Sequence, residues 1–372
     1  MFIEKIWHSV RPVLLHKLHR LDSTRRVTTG ALLVTGLVTA LVGEPVVAHE
    51  KIVVRVGHFP NITHAQALIG HALSRQGNGW FEQRLGTNVQ VQWFVYNAGP
   101  SAMEAIFAGS LDLTYVGPNP AINAYMRARG KEVRIVAGAC SGGAALVVAP
   151  DGRIKTDADF RGKRIGTPQL GNTQDVAARA WLQSKGYRVT LTGGDVLVVP
   201  TANPDQLTLF RSGALDAVWT VEPWVTRLVL EAGAQVYLEE KSLWPQTGGR
   251  YVTTHLVSRV RFANEQSGVL KRWLAAHVEL TQWIGEHSAE AKKLLNDEIK
   301  AETGHALPEQ VLARAWEKIE LTWDPVRESL FKCAEDAYRI GFLKDKPELA
   351  GIYDLQLLNE VLAEKNLPQV GQ

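Results

Sequence analysis

Cysteine is scarce in this chain, with two in 372 residues, Cys140 and Cys333. Two residues so far apart exclude a disulfide-stapled scaffold and a cysteine-rich metal site, and each reads as a buried free thiol. An excess of one charge is missing too. Lys and Arg number 41 against 38 Asp and Glu, a net +3. Residues 1–48 hold six of the bases (Lys5, Arg11, Lys17, Arg20, Arg25, Arg26) and three of the acids (Glu4, Asp22, Glu44), which leaves 35 of each sign in the rest. A neutral body carries no electrostatic footprint for nucleic acid or an anionic membrane surface. Also absent are His-Glu-x-x-His, the P-loop and the Gly-x-Ser-x-Gly elbow, so the familiar metalloprotease, nucleotide-hydrolase and serine-hydrolase signatures are excluded. Ala139-Cys140-Ser141-Gly142-Gly143 reads as a turn between two strands and not as a nucleophile loop. His58 and His64 are too few for a metal site without acids at fixed spacing, and His64 reads as a polar first-turn residue. No metal and no cofactor is expected.

One apolar run stands out, and it lies near the N-terminus. Arg25-Arg26 precede an uncharged stretch whose centre runs from Ala31 to Val42. About 14 residues of that kind make the apolar region of an export signal, whereas a spanning helix needs roughly 20. Val46-Val47-Ala48 then offers a small residue for cleavage before His49. A twin-arginine signal would want an aromatic or leucine where Thr28 stands, so that variant is poorly matched. No cysteine follows the run, which excludes a lipid anchor there. The expectation is a soluble periplasmic protein.

From His49 onward short β-rich runs alternate with helical ones. Ile52 to Gly57, Val89 to Tyr96 and Leu111 to Val116 read as strands, with helices over Thr63 to Leu73, Ser101 to Ala108 and Pro120 to Arg129. Arg134 to Ala139 and Ala144 to Ala149 follow. Lys163 to Gly166, Val196 to Val199 and Ala217 to Trp219 are further strands, separated by helices over Thr173 to Ser184, Pro204 to Arg211 and Pro223 to Glu231. That alternation predicts parallel sheets covered on both faces. Beyond Phe262 only helical periodicity is visible. The second half echoes the first: shifted by 104, Pro100 falls on Pro204, Gly109 on Gly213, Leu111 on Leu215, Asp112 on Asp216 and Tyr115 on Trp219. Earlier strand-turn units, Val56-Gly57 and Ile165-Gly166, correspond at an offset near 109. Two units of similar wiring follow, with a cleft between them.

In open α/β sheets ligands sit beyond the carboxyl ends of the strands, where loops enter helices. Here those loops are rich in Asn, Thr and Gly. Thr63 with Gln66, and Ser101 with Glu104, have capping-box spacing, and Asn119-Pro120 reads as an N-cap followed by proline. Asn203-Pro204 and Glu222-Pro223-Trp224 open later helices. Each junction leaves backbone N–H groups beside short polar side chains, which is what an oxyanion requires, and equally what plain helix capping requires.

The loops His58-Phe59-Pro60-Asn61-Ile62-Thr63-His64, Gly117-Pro118-Asn119-Pro120, Gly166-Thr167-Pro168 with Gly171-Asn172-Thr173, and Glu222-Pro223-Trp224 resemble the ligand loops of nitrate/sulfonate/taurine-type solute-binding proteins. The resemblance implies an α/β type II periplasmic-binding fold, two doubly wound lobes joined by a crossover hinge, with a helical C-terminal part. Residues 49–148 and 253–372 would form one lobe and 149–252 the other, with crossovers near Val147-Val148 and Tyr251-Val252-Thr253. It implies a monomeric receptor, not an enzyme, serving an ABC permease and its ATPase. Asn61, Thr63, His64, Gly117 and Asn119 would face the solute from one lobe, and Gly171, Asn172, Thr173, Glu222 and Trp224 from the other. Glu222 stands where sulfonate binders of this group usually carry Asp in a Trp-Asp-Pro element, and the Trp here is Trp219. With no Lys or Arg at the core of these loops, an aliphatic sulfonate is the expected solute, ahead of nitrate, bicarbonate or a thiamine-precursor pyrimidine. A pyrimidine synthase of the related fold is the enzymatic alternative, and export argues against it.

Overall fold

The computed structural model describes residues 51–371. The expected export signal and its cleavage site lie outside the described residues. Eleven strands are described: β1 (Ile52–His58), β2 (Val89–Val95), β3 (Leu113–Val116), β4 (Val133–Gly142), β5 (Ala144–Val148), β6 (Arg164–Thr167), β7 (Leu197–Pro200), β8 (Ala217–Val221), β9 (Gln235–Glu239), β10 (Val252–Arg259) and β11 (Ile319–Leu321). They form two sheets, ordered β11-β4-β10-β3-β1-β2 and β7-β6-β8-β5-β9.

Strip β11 from the first sheet and the two orders are the same. In each, the first strand of a unit sits between the second and third, and a strand arriving from the other unit separates the third from the fourth. The arriving strands, β10 and β5, run antiparallel to both neighbours. The sheets are therefore mixed where the alternation predicted parallel ones. The reason is that β5 and β10 come from the opposite unit with no helical crossover to reverse them.

Seven helices connect the strands of the two units: α1 (Ala65–Arg75), α2 (Trp80–Leu85), α3 (Gly99–Phe107), α4 (Pro118–Arg127), α5 (Thr173–Ser184), α6 (Asn203–Arg211) and α7 (Trp224–Ala232). After β10 come α8 (Val260–Glu265), α9 (Ser267–Glu286), α10 (Ser288–Thr303), α11 (Glu309–Trp316), α12 (Arg327–Arg339) and α13 (Gln356–Glu364). Both faces of each sheet are covered. Val54 and Val56 pack with α1, α2 and α9, while Leu111 and Val116 pack with α3, α4 and α12. Along β5 the faces alternate residue by residue. Leu146 and Val148 meet Trp181 and Trp219, and Ala145 and Val147 meet Leu207 and Leu228. The C-terminal part is helical except for β11, three residues added to the edge at β4. No described helix is long and apolar enough to cross a membrane.

The repeat at 104 has a physical counterpart. Arg55 donates its backbone N–H and its Nε to Asp112 Oδ2 at 2.9 and 3.1 Å, and a guanidinium nitrogen to the Gly109 carbonyl. Arg164, Asp216 and Gly213 make the same three bonds, with the same 2.9 and 3.1 Å distances to the carboxylate. In both halves, then, the aspartate closing the helix–strand turn ties it to the neighbouring parallel strand. A charged hydrogen bond so placed fixes register, which explains why Asp and Gly recur at one offset.

The chain changes sheets at Gly142-Gly143, since β5 belongs wholly to the second sheet; the sequence put that crossing at Val147-Val148. Gly142 and Gly143 have φ near +83° and +82°. An added Cβ there would lie 2.9 Å from the Lys318 carbonyl and 2.7 Å from Ile319 Cγ2, respectively. Only glycine fits both the backbone and the space. On the return, Tyr251 accepts the Gly142 N–H with its carbonyl, and its hydroxyl takes the Ala144 N–H at 2.9 Å. The two crossings are thus braced against each other. Neither cysteine is paired, as expected of free thiols.

Candidate functional site

The parallel strands of both sheets end at a common cleft. Phe59, Asn61, Thr63 and His64 follow β1, Asn97 follows β2 and Gly117 follows β3. From the second sheet come Pro168, Asn172, Thr173 and Gln174 after β6, Asn203 after β7, and Val221 at the end of β8. Thr253, on β10, lies at the floor. Every one of these junctions except the last leads into a helix, so several helix starts face one space.

Plain capping would have used up these side chains, and it does not. The helix starts at α1, α3, α4, α5 and α6 carry no side-chain bond from the N-cap residue. Gln66 turns away to the Ala139 carbonyl and Thr281 Oγ1, and Glu104 pairs with Arg127. The capping boxes expected at Thr63 and Ser101 are absent, and the N-cap of α4 is Gly117, not Asn119. Two polar atoms of cleft-lining residues, Thr173 Oγ1 and His64 Nδ1, are buried with no partner among the described residues. Burying such atoms unpaired costs about 1–3 kcal/mol each, a cost that a solute supplying the missing partner would remove.

Among the described residues, no Lys, Arg, Asp or Glu lines this cleft. His64 is fully enclosed, and burial pushes its pKa well below the usual histidine value, with the nearby His58 adding to the effect. It is neutral at physiological pH. The cleft therefore acts through amide, hydroxyl and backbone dipoles and holds no counter-charge.

Six of the ten residues expected from sequence border the cleft: Asn61, Thr63, His64, Gly117, Asn172 and Thr173. Gly117 and Thr173 meet across it, for a Cβ on Gly117 would fall 2.5 Å from Thr173 Oγ1. The other four sit elsewhere, each for a visible reason. Asn119 donates its amide to the Cys333 carbonyl of α12, beside a second hollow that shares Thr173 with the cleft. Gly171, at φ +75°, gives its N–H to Asp175 Oδ2 at 3.0 Å. Asp175 also accepts Thr167 Oγ1 and pairs with buried Arg179, so this carboxylate shapes the loop from within. Glu222 accepts the Thr226 N–H and hydroxyl at 3.0 and 2.9 Å, capping α7 instead of facing solute. Trp224 donates its indole N–H to Asn61 Oδ1 at 3.0 Å, a bond that joins the two units beside the cleft. Trp219 is enclosed in the core and donates to Glu240 at 2.7 Å.

Sequence reading missed Phe59, Asn97, Pro168, Gln174, Asn203, Val221 and Thr253 as lining residues. Asn97 and Asn203 carried a usable signal, because each opens a helix right after a strand. Thr253 carried none. It reaches the cleft only because β10 returns from the far end of the chain.

Comparisons with known proteins bear on the fold and the family. A Bacillus subtilis (strain 168) protein described as aliphatic-sulfonate-binding is 24% identical over 304 residues, spanning 80% of this chain and 87% of that protein. The alkanesulfonate-binding protein SsuA from Xanthomonas axonopodis pv. citri, solved bound to MOPS, superposes with a TM-score of 0.66 at 20% identity, covering 83% of this chain and all of that one. The periplasmic nitrate-binding protein NrtA from Synechocystis PCC 6803 gives a TM-score of 0.67 at 16% identity, covering 86% of this chain and 90% of its own. The fold is that of these periplasmic binding proteins, and the chain, which matches the family model over residues 47–296, belongs to the NMT1-like family.

Proposed function

We propose that this protein is the exported solute receptor of an ABC importer, a binding protein and not an enzyme, and that it captures a small organic anion, best an aliphatic sulfonate, in the cleft between its two sheets. The observation that carries the reading is the lining itself: helix starts from both units, no charged side chain, and two buried polar atoms without partners. A sulfonate spreads its charge over three oxygens and is met well by several neutral donors at helix N-termini. Phe59, Pro168 and Val221 supply apolar wall for a short tail. A pyrimidine would call on Glu222 and the tryptophans for hydrogen bonding and stacking, and those groups are engaged in capping, in the core and in the Trp224–Asn61 bond. Export, a permease and an ATPase belong to the same proposal, with His49 as the first residue of the mature chain and 49–142, 144–249 and 252–372 as the segments of its two lobes.

Capture works by closure. The unit holding Thr173 and Trp224 swings about the glycine crossings onto the unit holding Asn61 and Gly117, and solute shifts the population toward the closed form. Trp224→Phe keeps the ring and deletes the donor to Asn61. Solute affinity then falls about two- to tenfold, since closure loses one hydrogen bond of about 0.5–1.5 kcal/mol. Titration calorimetry reads this, and an unchanged constant removes that bond from the closing step.

A thermal-shift screen of protein stripped of solute by unfolding and refolding tests the solute class. At millimolar concentration a micromolar ligand stabilises by about 4 kcal/mol. Alkanesulfonates and taurine are expected to raise Tm, while a rise with a thiamine pyrimidine alone would overturn the anion reading.

A further inference from the structure

Behind the first cleft loop, three elements bring metal-ligating atoms to one point. His58 ends β1, His71 lies on α1, and Glu302 with Glu298 lies on α10 one turn apart. His58 Nε2 is 3.2 Å from His71 Nδ1 and 3.1 Å from Glu302 Oε1, and His71 Nδ1 is 3.0 Å from the same oxygen. His71 Nδ1 also lies 2.8 Å from Glu298 Oε1.

Each ring nitrogen brings at most one hydrogen. If both rings donate to Glu302, their N–H groups converge across 3.2 Å, and the single His71 Nδ1 hydrogen must be shared between Glu302 and Glu298. A cation held by His58, His71 and Glu302 relieves that convergence. Ligands about 2.0–2.1 Å from a tetrahedral ion stand roughly 3.3 Å from one another, close to the observed triangle. A second, independent sign is Glu302 Oε2, which is buried without a partner on a side chain only 1% exposed. The surroundings hold the ligands in place. Trp93 stacks on His71 at 5.5 Å and meets His58 edge-on at 5.7 Å, and Arg75 Nε grips both oxygens of Glu298 at 2.8 and 3.0 Å. Outer contacts of this kind fix ring and carboxylate orientation. His71, 11% exposed at its side chain, gives an ion a way in.

We propose that His58, His71 and Glu302 form a site for a divalent transition metal of the zinc class. Two imidazoles and a carboxylate with no sulfur favour zinc over softer or harder ions. The bound ion ties α10 to β1 and α1, and so anchors the strand whose next residue, Phe59, lines the cleft. Its uptake is independent of which solute the cleft takes.

The test uses the purified protein, dialysed against chelator and then titrated with zinc alone. One equivalent bound with micromolar or tighter affinity, a raised Tm without solute, and the intense visible bands of four-coordinate cobalt after Co(II) substitution are expected. E302Q is expected to lower zinc affinity at least 100-fold, and H71Q on the more exposed side does the same should E302Q fold poorly. Absence of stoichiometric zinc in the wild-type protein overturns the site. So does equal uptake by a folded H71Q protein, or loss of zinc on His305→Ala, a change at an exposed residue three positions beyond Glu302 and outside the cluster.

Discussion

Replacing Asn172 and Thr173 together by alanine lowers solute affinity about 10- to 100-fold while leaving the fold nearly as stable as before. Both halves of that result follow from what these side chains touch. Thr173 Oγ1 has no partner within the protein, and the Asn172 amide reaches only Gln174 Oε1, at 3.3 Å. Removing them breaks almost nothing in the unliganded chain. In the proposed complex they meet a charged group, where a hydrogen bond contributes about 1.5–3 kcal/mol, and each 1.4 kcal/mol is tenfold in affinity. The expected loss appears in calorimetric Kd with Tm in the absence of solute almost unmoved. An unchanged Kd would take the second unit out of solute binding. A collapse of Tm would show instead that the two residues hold the fold.

Glu240→Gln makes the protein more stable at pH 8 but not at pH 4. Glu240 is enclosed beside Trp219, and burial pushes its carboxyl up to about 7, only partly offset by the indole hydrogen bond and by Lys332. The folded state therefore holds this proton at pH values where the unfolded chain, with an ordinary carboxyl near 4.3, has released it. Stability contributed by the group is complete below the unfolded value and falls as pH rises toward 7. A shift of that size corresponds to about 3 kcal/mol between pH 4 and pH 8. Glutamine has no proton to lose, so the difference between variant and wild type grows over that window and levels off above it. Glu222, also raised to about 7 by burial, adds a parallel effect. Two buried histidines oppose it: burial lowers His255 and His277 to about 4, so their contribution is lost as pH falls from about 6.5 toward 4. Denaturant melts of the E240Q pair across pH isolate the one carboxyl from these. A difference independent of pH would mean that Glu240 is ionised in the folded state.

The alternating pattern of strands and helices was plain in the chain because buried parallel strands are short, β-rich and mostly apolar runs ended by glycine and proline, as in Leu113–Val116 before Gly117-Pro118. The repeat was legible for a stronger reason. Asp112 and Asp216 must sit at the same turn to hold Arg55 and Arg164, so the offset records a contact. What sequence could not supply was direction. Nothing local in Ala144–Val148 or Val252–Arg259 says that these strands arrive from the other unit and run antiparallel, and the crossing was placed several residues late as a result. The cleft followed the same rule. Loops read one at a time located Asn61, Thr63, Asn172 and Thr173, whose backbone alone aims them at the strand ends. Asn119, Gly171 and Glu222 matched by residue type but are held by Cys333, Asp175 and Thr226, partners visible only in three dimensions. The histidine cluster was beyond reach altogether. His58 and His71 are 13 positions apart, and Glu302 lies another 231 residues along.

The most direct test of the central claim is calorimetric titration of short alkanesulfonates into the solute-free protein. The account predicts one site per chain with a micromolar or tighter Kd, and the same titration 10- to 100-fold weaker in the Asn172→Ala, Thr173→Ala protein. Absence of heat with every small anion, together with tight binding of an uncharged or cationic solute, would contradict it.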